Sequence, residues 1–132
     1  LKMRESDLYA PLLRGAELEN WSLFRIADGS FGKKPADITG ITPDGIGVLL
    51  EVKLVKTSLQ FPQKQLSSHQ TAWLGVYYGY NGLALLAAYH QKIDKLILYK
   101  VGDLGLCMMS SRELVYNDDK YGKYYSGWNK LL

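Results

Sequence analysis

The chain has 132 residues, 47% hydrophobic and 22% charged, which predicts one globular domain over residues 1–132 and excludes a disordered chain. No apolar run approaches the roughly 20 residues of a membrane span, and the single cysteine, Cys107, excludes an internal disulfide. We therefore expect a soluble, cytoplasmic protein without a membrane partner, whose net charge of +3 permits an anionic partner without requiring one.

The hydrophobic pattern predicts helices and strands in the order α-β-β-β-α-β-β, which is typical of an α/β sandwich with a mixed sheet of about five strands. The first eighteen residues favour a helix that Pro11 kinks or divides. The predicted strands cover 21–27, 36–42, 46–55, 83–90 and 95–101, and the second helix covers 65–80. The segment 102–111 suits a short helix, and the residues after it follow no clear pattern.

The short stretch "PDG" at 43–45 predicts a tight loop between the second and third strands. With that loop, the numbers of facing residues sum to 88, so Asp37 lies directly opposite Glu51. Lys53 shares the face of Glu51, because side chains alternate along a strand. The opposite face is apolar and contains Ile38, Val48, Leu50, Val52 and Leu54.

Two carboxylates directly opposite each other repel, and a divalent cation between them removes the conflict. Oxygen ligands of this kind suit Mg²⁺, with Mn²⁺ as a substitute. A lysine beside the cation can orient a water and stabilise charge that grows on a phosphate. The pattern therefore indicates metal-assisted phosphodiester hydrolysis. The alternative is an ordinary amphipathic strand on which Glu51 and Lys53 face solvent.

Asp37, followed after a hairpin by Glu51-Val52-Lys53, resembles the PD-(D/E)xK nuclease superfamily. The segment 61–70, "FPQKQLSSHQ", is similar to that of RecU-type Holliday junction resolvases, in which Phe-Pro precedes a helix with a His-Gln pair. The resemblance covers about residues 2–101. It implies a restriction-endonuclease-like core, with 102–132 as a C-terminal extension. The chain departs from the named motif because Ala36 separates Pro35 from the aspartate.

The resemblance also implies roles for matching residues. Asp37 and Glu51 would bind the metal together with the Val52 carbonyl, and Lys53 would be the catalytic lysine. Gln70 is similar to an accessory glutamine that positions the water or the scissile phosphate. Glu5 resembles a glutamate that the first helix of the family contributes to the same site.

We also expect DNA contacts from residues that precede Asp37 and follow Lys53 in the sequence. The expected contacts are Ser30, Lys33, Lys34, Lys56 and His69. Two alternatives are that His69 faces solvent and that the loop 28–34 is only a surface turn. His90, at the end of an apolar strand, is expected to be a capping or surface residue.

The resemblance implies an Mg²⁺-dependent endonuclease that resolves four-way DNA junctions. Two symmetric cuts require two related sites, so we expect a homodimer. One alternative is a nuclease of the same superfamily that acts on flaps or single strands, and another is a DNA-binding module without catalysis. The C-terminal stretch "KYGKYYSGWNK" either stacks on bases or packs on the core or a subunit interface.

Overall fold

The computed structural model describes residues 3–28, 34–102 and 108–132. The helices are α1 (Tyr9–Leu18) and α2 (Ser68–Gly79), with short 3-10 helices over Glu5–Leu8, Gln63–Gln65 and Trp128–Leu131. The strands are β1 (Ser22–Arg25), β2 (Ile38–Ile41), β3 (Gly47–Val55), β4 (Leu83–His90), β5 (Lys95–Val101), β6 (Met108–Asp119) and β7 (Gly122–Ser126). None of the helices in these ranges is long and apolar enough to cross a membrane.

The strands form one mixed sheet in the order β1-β2-β3-β4-β5-β6-β7. Neighbouring strands are antiparallel except for β3 and β4, which are parallel and therefore need the crossover that α2 provides. The predicted α/β class and the order of its elements are confirmed, but the sheet has seven strands rather than about five. The short helix predicted over 102–111 is wrong for residues 108–111, which begin β6, while 103–107 lie outside the described residues.

The sheet is covered on both faces by separate apolar layers. Leu12 and Ala16 of α1 pack with Ile38 and Leu50 on one face, together with Trp128 from the end of the chain. The opposite layer contains the following buried side chains: Ala36, Leu49, Val55, Leu74, Ala84, Leu86, Ala88, Tyr99 and Val101. Burial on both faces explains why β3 and β4 are nearly continuous apolar runs.

Pro11 lies in the first turn of α1, where its missing N–H removes no helical hydrogen bond. The separate 3-10 helix Glu5–Leu8 precedes α1, so this segment does consist of two helical pieces, but the break lies before Tyr9 and not at Pro11. Leu8 and Leu12 are both buried on the face that meets the sheet.

The C-terminal segment packs on the core. Tyr125 is 7% exposed and Trp128 is fully buried, with its ring centroid 5.3 Å from that of Trp21. The Glu19 carboxylate accepts hydrogen bonds from the backbone N–H groups of Gly127 and Trp128, at 2.8 and 3.1 Å. Of the two interpretations of this segment, core packing therefore holds for Tyr125 and Trp128.

The surface position predicted for His90 is wrong. The side chain is fully buried, because β4 is covered to its last residue by the segment that follows β3. Its Nδ1 lies 3.1 Å from the Ser58 carbonyl oxygen, and its Nε2 lies 2.8 Å from the Tyr99 hydroxyl. His90 therefore ties that segment to the sheet.

Gly15→Ala should destabilise the protein, because an added Cβ would lie only 1.7 Å from the Tyr125 carbonyl oxygen of β7. We expect urea unfolding to show a loss of about 1–3 kcal/mol, as is typical of overpacking. Gly79→Ala is the matched control: it also lies in a helix, and its added Cβ meets nothing within 4 Å. The control should be neutral or stabilising by up to about 1 kcal/mol. Equal losses in both variants would contradict the close approach of α1 to β7.

Candidate active site

The hairpin between β2 and β3 has the predicted register. Thr42 and Gly45 close the turn through a backbone hydrogen bond of 2.9 Å, and Gly45 has the positive φ of +83° that favours glycine. Every paired position sums to 88, and the last pair of β2 is Ile38 with Leu50. Asp37 and Glu51 are the next residues beyond this last pair.

Because β2 begins at Ile38, the end of β3 has no strand partner on that side. Side-chain carboxylates accept the backbone hydrogen bonds that a neighbouring strand would otherwise accept at this edge. The Val52 N–H donates to Asp37 Oδ2 at 2.9 Å, and the Leu54 N–H donates to Glu5 Oε2 at 3.2 Å. We call the group formed by Asp37, Glu51, Val52 and Lys53 the carboxylate notch.

Both acids of the notch are buried. Asp37 is 7% exposed and Glu51 is 4% exposed, so the alternative in which Glu51 faces solvent is wrong. The cause is α2, which covers the face of β3 that carries Glu51, with Leu74 packed against Leu49 in the same layer. Lys53, two residues further along, is half-buried.

The two carboxyl groups have opposite pKa shifts. Burial, together with the hydrogen bond and the negative charge of Asp37, raises the pKa of Glu51 to about 9. Burial also acts to raise the pKa of Asp37, but hydrogen bonds from Glu51 and from the Val52 N–H outweigh it and lower that pKa. These opposite shifts favour a protonated Glu51 carboxyl beside an ionised Asp37 carboxylate.

Gln70, in the first turn of α2, joins the notch to the start of that helix. Its Nε2 donates to Glu51 Oε1 at 3.0 Å. Its Oε1 accepts from the Ser67 N–H at 2.9 Å, while the Ser67 hydroxyl accepts from the Gln70 N–H at 3.1 Å. This capping box fixes the Gln70 side chain, so the amide reaches Glu51 in a defined orientation.

Lys34 lies at the notch. Its Nζ is 3.2 Å from Asp37 Oδ1 and 3.5 Å from Asp28 Oδ1, and the charge of Asp37 raises the pKa of Lys34 although burial opposes this. His69 is half-buried, and its Nε2 lies 3.1 Å from the Lys34 carbonyl oxygen, so it braces this segment against α2.

The structure places only one of the three other expected DNA contacts. Lys56 is exposed just after β3. Ser30 and Lys33 lie outside the described residues, as does most of the loop 28–34. The structure thus brings Lys34 and His69 together beside Asp37, and leaves Lys56 on the surface.

Tyr9 is a residue of the site that the sequence pattern does not single out. It is the first residue of α1, only 9% exposed, and its pKa rises well above its usual value because of burial and the charge and hydrogen bond of Asp37. The Arg25 guanidinium lies 4.4 Å from the centre of its ring. Tyr9, Leu12 and Ala16 recur at the spacing of a buried helix face, so the pattern predicts an ordinary core residue. The one feature of the sequence that distinguishes Tyr9 from its neighbours on this face is its polar hydroxyl.

The notch offers oxygen ligands alone. They are the Asp37 and Glu51 carboxylates and the Val52 carbonyl, which points to the same open edge as the Val52 N–H. This donor set fits Mg²⁺ or Mn²⁺ better than metals that prefer nitrogen or sulfur ligands. In the described ranges 3–28, 34–102 and 108–132, no three His, Cys, Asp or Glu side chains lie close enough to hold a metal. A divalent cation in the notch would therefore be bound by two carboxylates and one backbone carbonyl.

Comparison with known proteins identifies the fold. The chain is similar to Hjc of Archaeoglobus fulgidus, a Holliday junction resolvase from an archaeal hyperthermophile, with a TM-score of 0.54. The fold is that of an archaeal Holliday junction resolvase. The match covers 72% of this chain and 75% of Hjc at 18% sequence identity, so it supports the fold alone. The expected likeness to Holliday junction resolvases is confirmed at the level of the fold.

Sequence comparison adds nothing to this structural match. No protein-family model matches the chain, and no curated protein matches its sequence significantly.

The stability of the metal-free protein should fall as the pH rises from about 5.5 to about 8.5. Folded Glu51 holds its proton up to a pKa of about 9, whereas the unfolded group releases it near 4.5, so rising pH favours the unfolded chain across this window. The slope for one proton is at most about 1.4 kcal/mol per pH unit. Glu51→Gln should flatten this dependence in urea unfolding with EDTA, because its amide donates to Asp37 without titrating. Identical slopes for the two proteins would contradict the shared proton.

Proposed function

We propose that the protein is an Mg²⁺-dependent, structure-selective endonuclease that hydrolyses phosphodiesters in four-way DNA junctions. The observation that carries the proposal is the pair of buried carboxylates, Asp37 and Glu51, at the open edge of β3. Lys53 follows two residues later on the same face, within a resolvase-like fold. A buried acid pair without a bound cation would be an expensive structural element, whereas it suits a metal-dependent nuclease.

In this mechanism Asp37, Glu51 and the Val52 carbonyl would hold the Mg²⁺ ion, and Mn²⁺ would be able to replace it. The bound ion would supply Lewis acidity, which activates a water and offsets charge on the scissile phosphate. Lys53 stabilises the negative charge that develops on that phosphate. Gln70 holds the Glu51 carboxylate in place through its capped amide.

Cation binding would require two local changes. Glu51 would have to be deprotonated, because a metal ligand carries no proton. Lys34 would have to leave Asp37, and Asp28, at 3.5 Å from the same ammonium, offers it another partner. Glu5, bound to the Leu54 N–H, remains at the edge of the site as an additional negative charge.

Selectivity for junctions is proposed to depend on a homodimer and on the basic residues around the notch. A four-way junction has two strands to cut symmetrically, so two notches related by a twofold axis match the substrate. The proposed contacts with DNA phosphates are Ser30, Lys33, Lys34, Lys56 and His69. Of these, Lys34 pairs with Asp37 in the metal-free protein, and it would be able to contact a phosphate if Asp37 bound the ion instead.

The function is tested by cleavage of a labelled four-way junction, a flap and a linear duplex, each with Mg²⁺ or EDTA. We expect paired nicks in opposite strands of the junction, with Mg²⁺ only. Lys53→Ala should abolish cleavage with little change in the salt dependence of binding. Lys56→Ala, the exposed control, should keep the cleavage rate at saturating DNA and reduce the salt slope by roughly one phosphate contact.

Faster cleavage of the flap than of the junction would indicate a nuclease with another substrate and would contradict the proposal of a resolvase. Binding without cleavage under any metal condition would support a DNA-binding module. A strictly monomeric protein in sedimentation, with and without junction DNA, would also contradict paired cutting.

Gln70 and Ser67 give a matched test of the accessory glutamine. Both variants, Gln70→Ala and Ser67→Ala, remove part of the capping box and should each cost about 1 kcal/mol in urea unfolding. Only Gln70→Ala also removes the hydrogen bond to Glu51, so it alone should slow junction cleavage at saturating Mg²⁺, by about tenfold or more. Equal cleavage by the two variants would restrict Gln70 to helix capping.

A further inference from the structure

The ammonium group of Lys34 lies on the Asp37 oxygen that a cation would need. Asp37 Oδ2 accepts the Val52 N–H at 2.9 Å, and Lys34 Nζ lies 3.2 Å from the other oxygen, Oδ1. In the part of the chain that the structure describes, this is the one ion pair that involves a carboxylate of the notch. Lys34 therefore supplies positive charge to a buried acid at the position where a divalent cation would supply it.

The backbone of Lys34 is fixed, whereas its side chain has two partners. His69 Nε2 lies 3.1 Å from the Lys34 carbonyl oxygen and is the donor, because a carbonyl oxygen only accepts. The Lys34 ammonium also lies 3.5 Å from Asp28 Oδ1, on a side chain that is 95% exposed. Solvent and salt screen a pair with so exposed a partner, which makes it weak. Rotation of the Lys34 side chain alone is therefore enough to take the ammonium away from Asp37.

A divalent cation and the Lys34 ammonium compete for the same carboxylate. Two positive charges on one poorly solvated oxygen repel each other, so a cation bound to Asp37 would displace the ammonium. Asp28 alone would hold the displaced ammonium only weakly. A DNA phosphate is a better partner, because each phosphate that a lysine neutralises also releases condensed counterions.

We infer that Lys34 couples cation binding to DNA binding, because it neutralises Asp37 in the free protein and pairs with a DNA phosphate when a divalent cation takes its place. Thermodynamic reciprocity then requires that DNA, by capturing Lys34, strengthens cation binding by the same factor. The protein would bind its cation most tightly when DNA is present. The inference rests on the proposed nuclease function and names the regulation of its metal site.

The first test is calorimetric titration of the full chain with Mn²⁺ in the absence of DNA, for Lys34→Met and Lys56→Met. Methionine keeps an unbranched side chain and removes the charge. Lys34→Met should bind Mn²⁺ about tenfold more tightly than the wild type, because no ammonium has to be displaced from Asp37. Lys56, exposed just after β3, is the matched control, and its variant should bind Mn²⁺ within about twofold of the wild type, because solvent screens its charge.

The second test follows the lysine itself, through the salt dependence of junction binding in EDTA and in Mn²⁺. All proteins carry Lys53→Ala, so that the junction stays intact, and each variant is compared with its parent in the same buffer. In EDTA, Lys34→Met should leave the salt slope unchanged, because Lys34 is paired with Asp37. In Mn²⁺ it should reduce the slope by roughly one phosphate contact. Lys56→Met should reduce the slope equally in both buffers.

Equal Mn²⁺ affinities of the wild-type protein and Lys34→Met would overturn the inference, as would a loss of one phosphate contact by Lys34→Met in EDTA. Either result, in a wild-type protein that binds Mn²⁺ and cuts junctions, would leave the proposed function intact. Failure of both the wild type and Lys34→Met to bind Mn²⁺ would overturn both. If urea unfolding shows that Lys34→Met does not fold, Lys34→Gln takes its place with the same expected results.

Discussion

The pair of buried carboxylates at Asp37 and Glu51 is the constraint around which this end of the molecule is arranged. Two ionised acids at these positions would repel in a poorly solvated interior, and burial beside Asp37 accordingly raises the pKa of Glu51. The Lys34 ammonium offsets part of the negative charge on Asp37. A divalent cation at the notch would supply the positive charge that allows both acids to ionise.

The fold creates the notch by ending one strand early. β3 continues past the point where β2 leaves it, and its free N–H groups at Val52 and Leu54 are satisfied by Asp37 and Glu5. A free sheet edge normally exposes such groups to solvent or to another strand. In this protein Asp37 accepts a hydrogen bond from this edge and is also one of the two acids of the proposed metal site, so one side chain serves both edge protection and the proposed function.

Helix α2 has a double role in the same region. It is the crossover that makes β3 and β4 parallel, and its first turn presents Gln70 to Glu51. The capping box that starts the helix also fixes the orientation of the Gln70 amide. His69, one residue earlier, holds the backbone at Lys34. The start of one helix thus positions groups on both sides of the acid pair.

Much of this site could be predicted from the sequence because it depends on local rules. The loop 43–45 sets the register of β2 and β3, and that register alone places Asp37 opposite Glu51. The burial of Glu51 was not predictable, since alternation of charged residues looks the same on an exposed strand and on one that a helix covers. Tyr9 and His90 were missed for a related reason: their partners are distant in sequence.

The sequence pattern does not predict strands β6 and β7, for a different physical reason. The first residues of β6, over 108–113, are exposed and show no alternation of apolar and polar side chains. That strand is specified by its backbone pairing with β5 and β7, which a sequence pattern does not report. The later part of the segment is anchored by Tyr125 and Trp128, whose burial against α1 and Trp21 depends on the finished sheet.

The measurement that tests the central claim most directly is the number of protons released when Mn²⁺ binds at neutral pH. It is obtained by calorimetric titration in two buffers with different ionisation enthalpies. The account predicts that the wild-type protein binds Mn²⁺ and releases about one proton, because Glu51 must give up its shared proton to become a ligand. Binding without proton release, or equal affinity in Glu51→Gln, would contradict a metal site built on the Asp37–Glu51 pair.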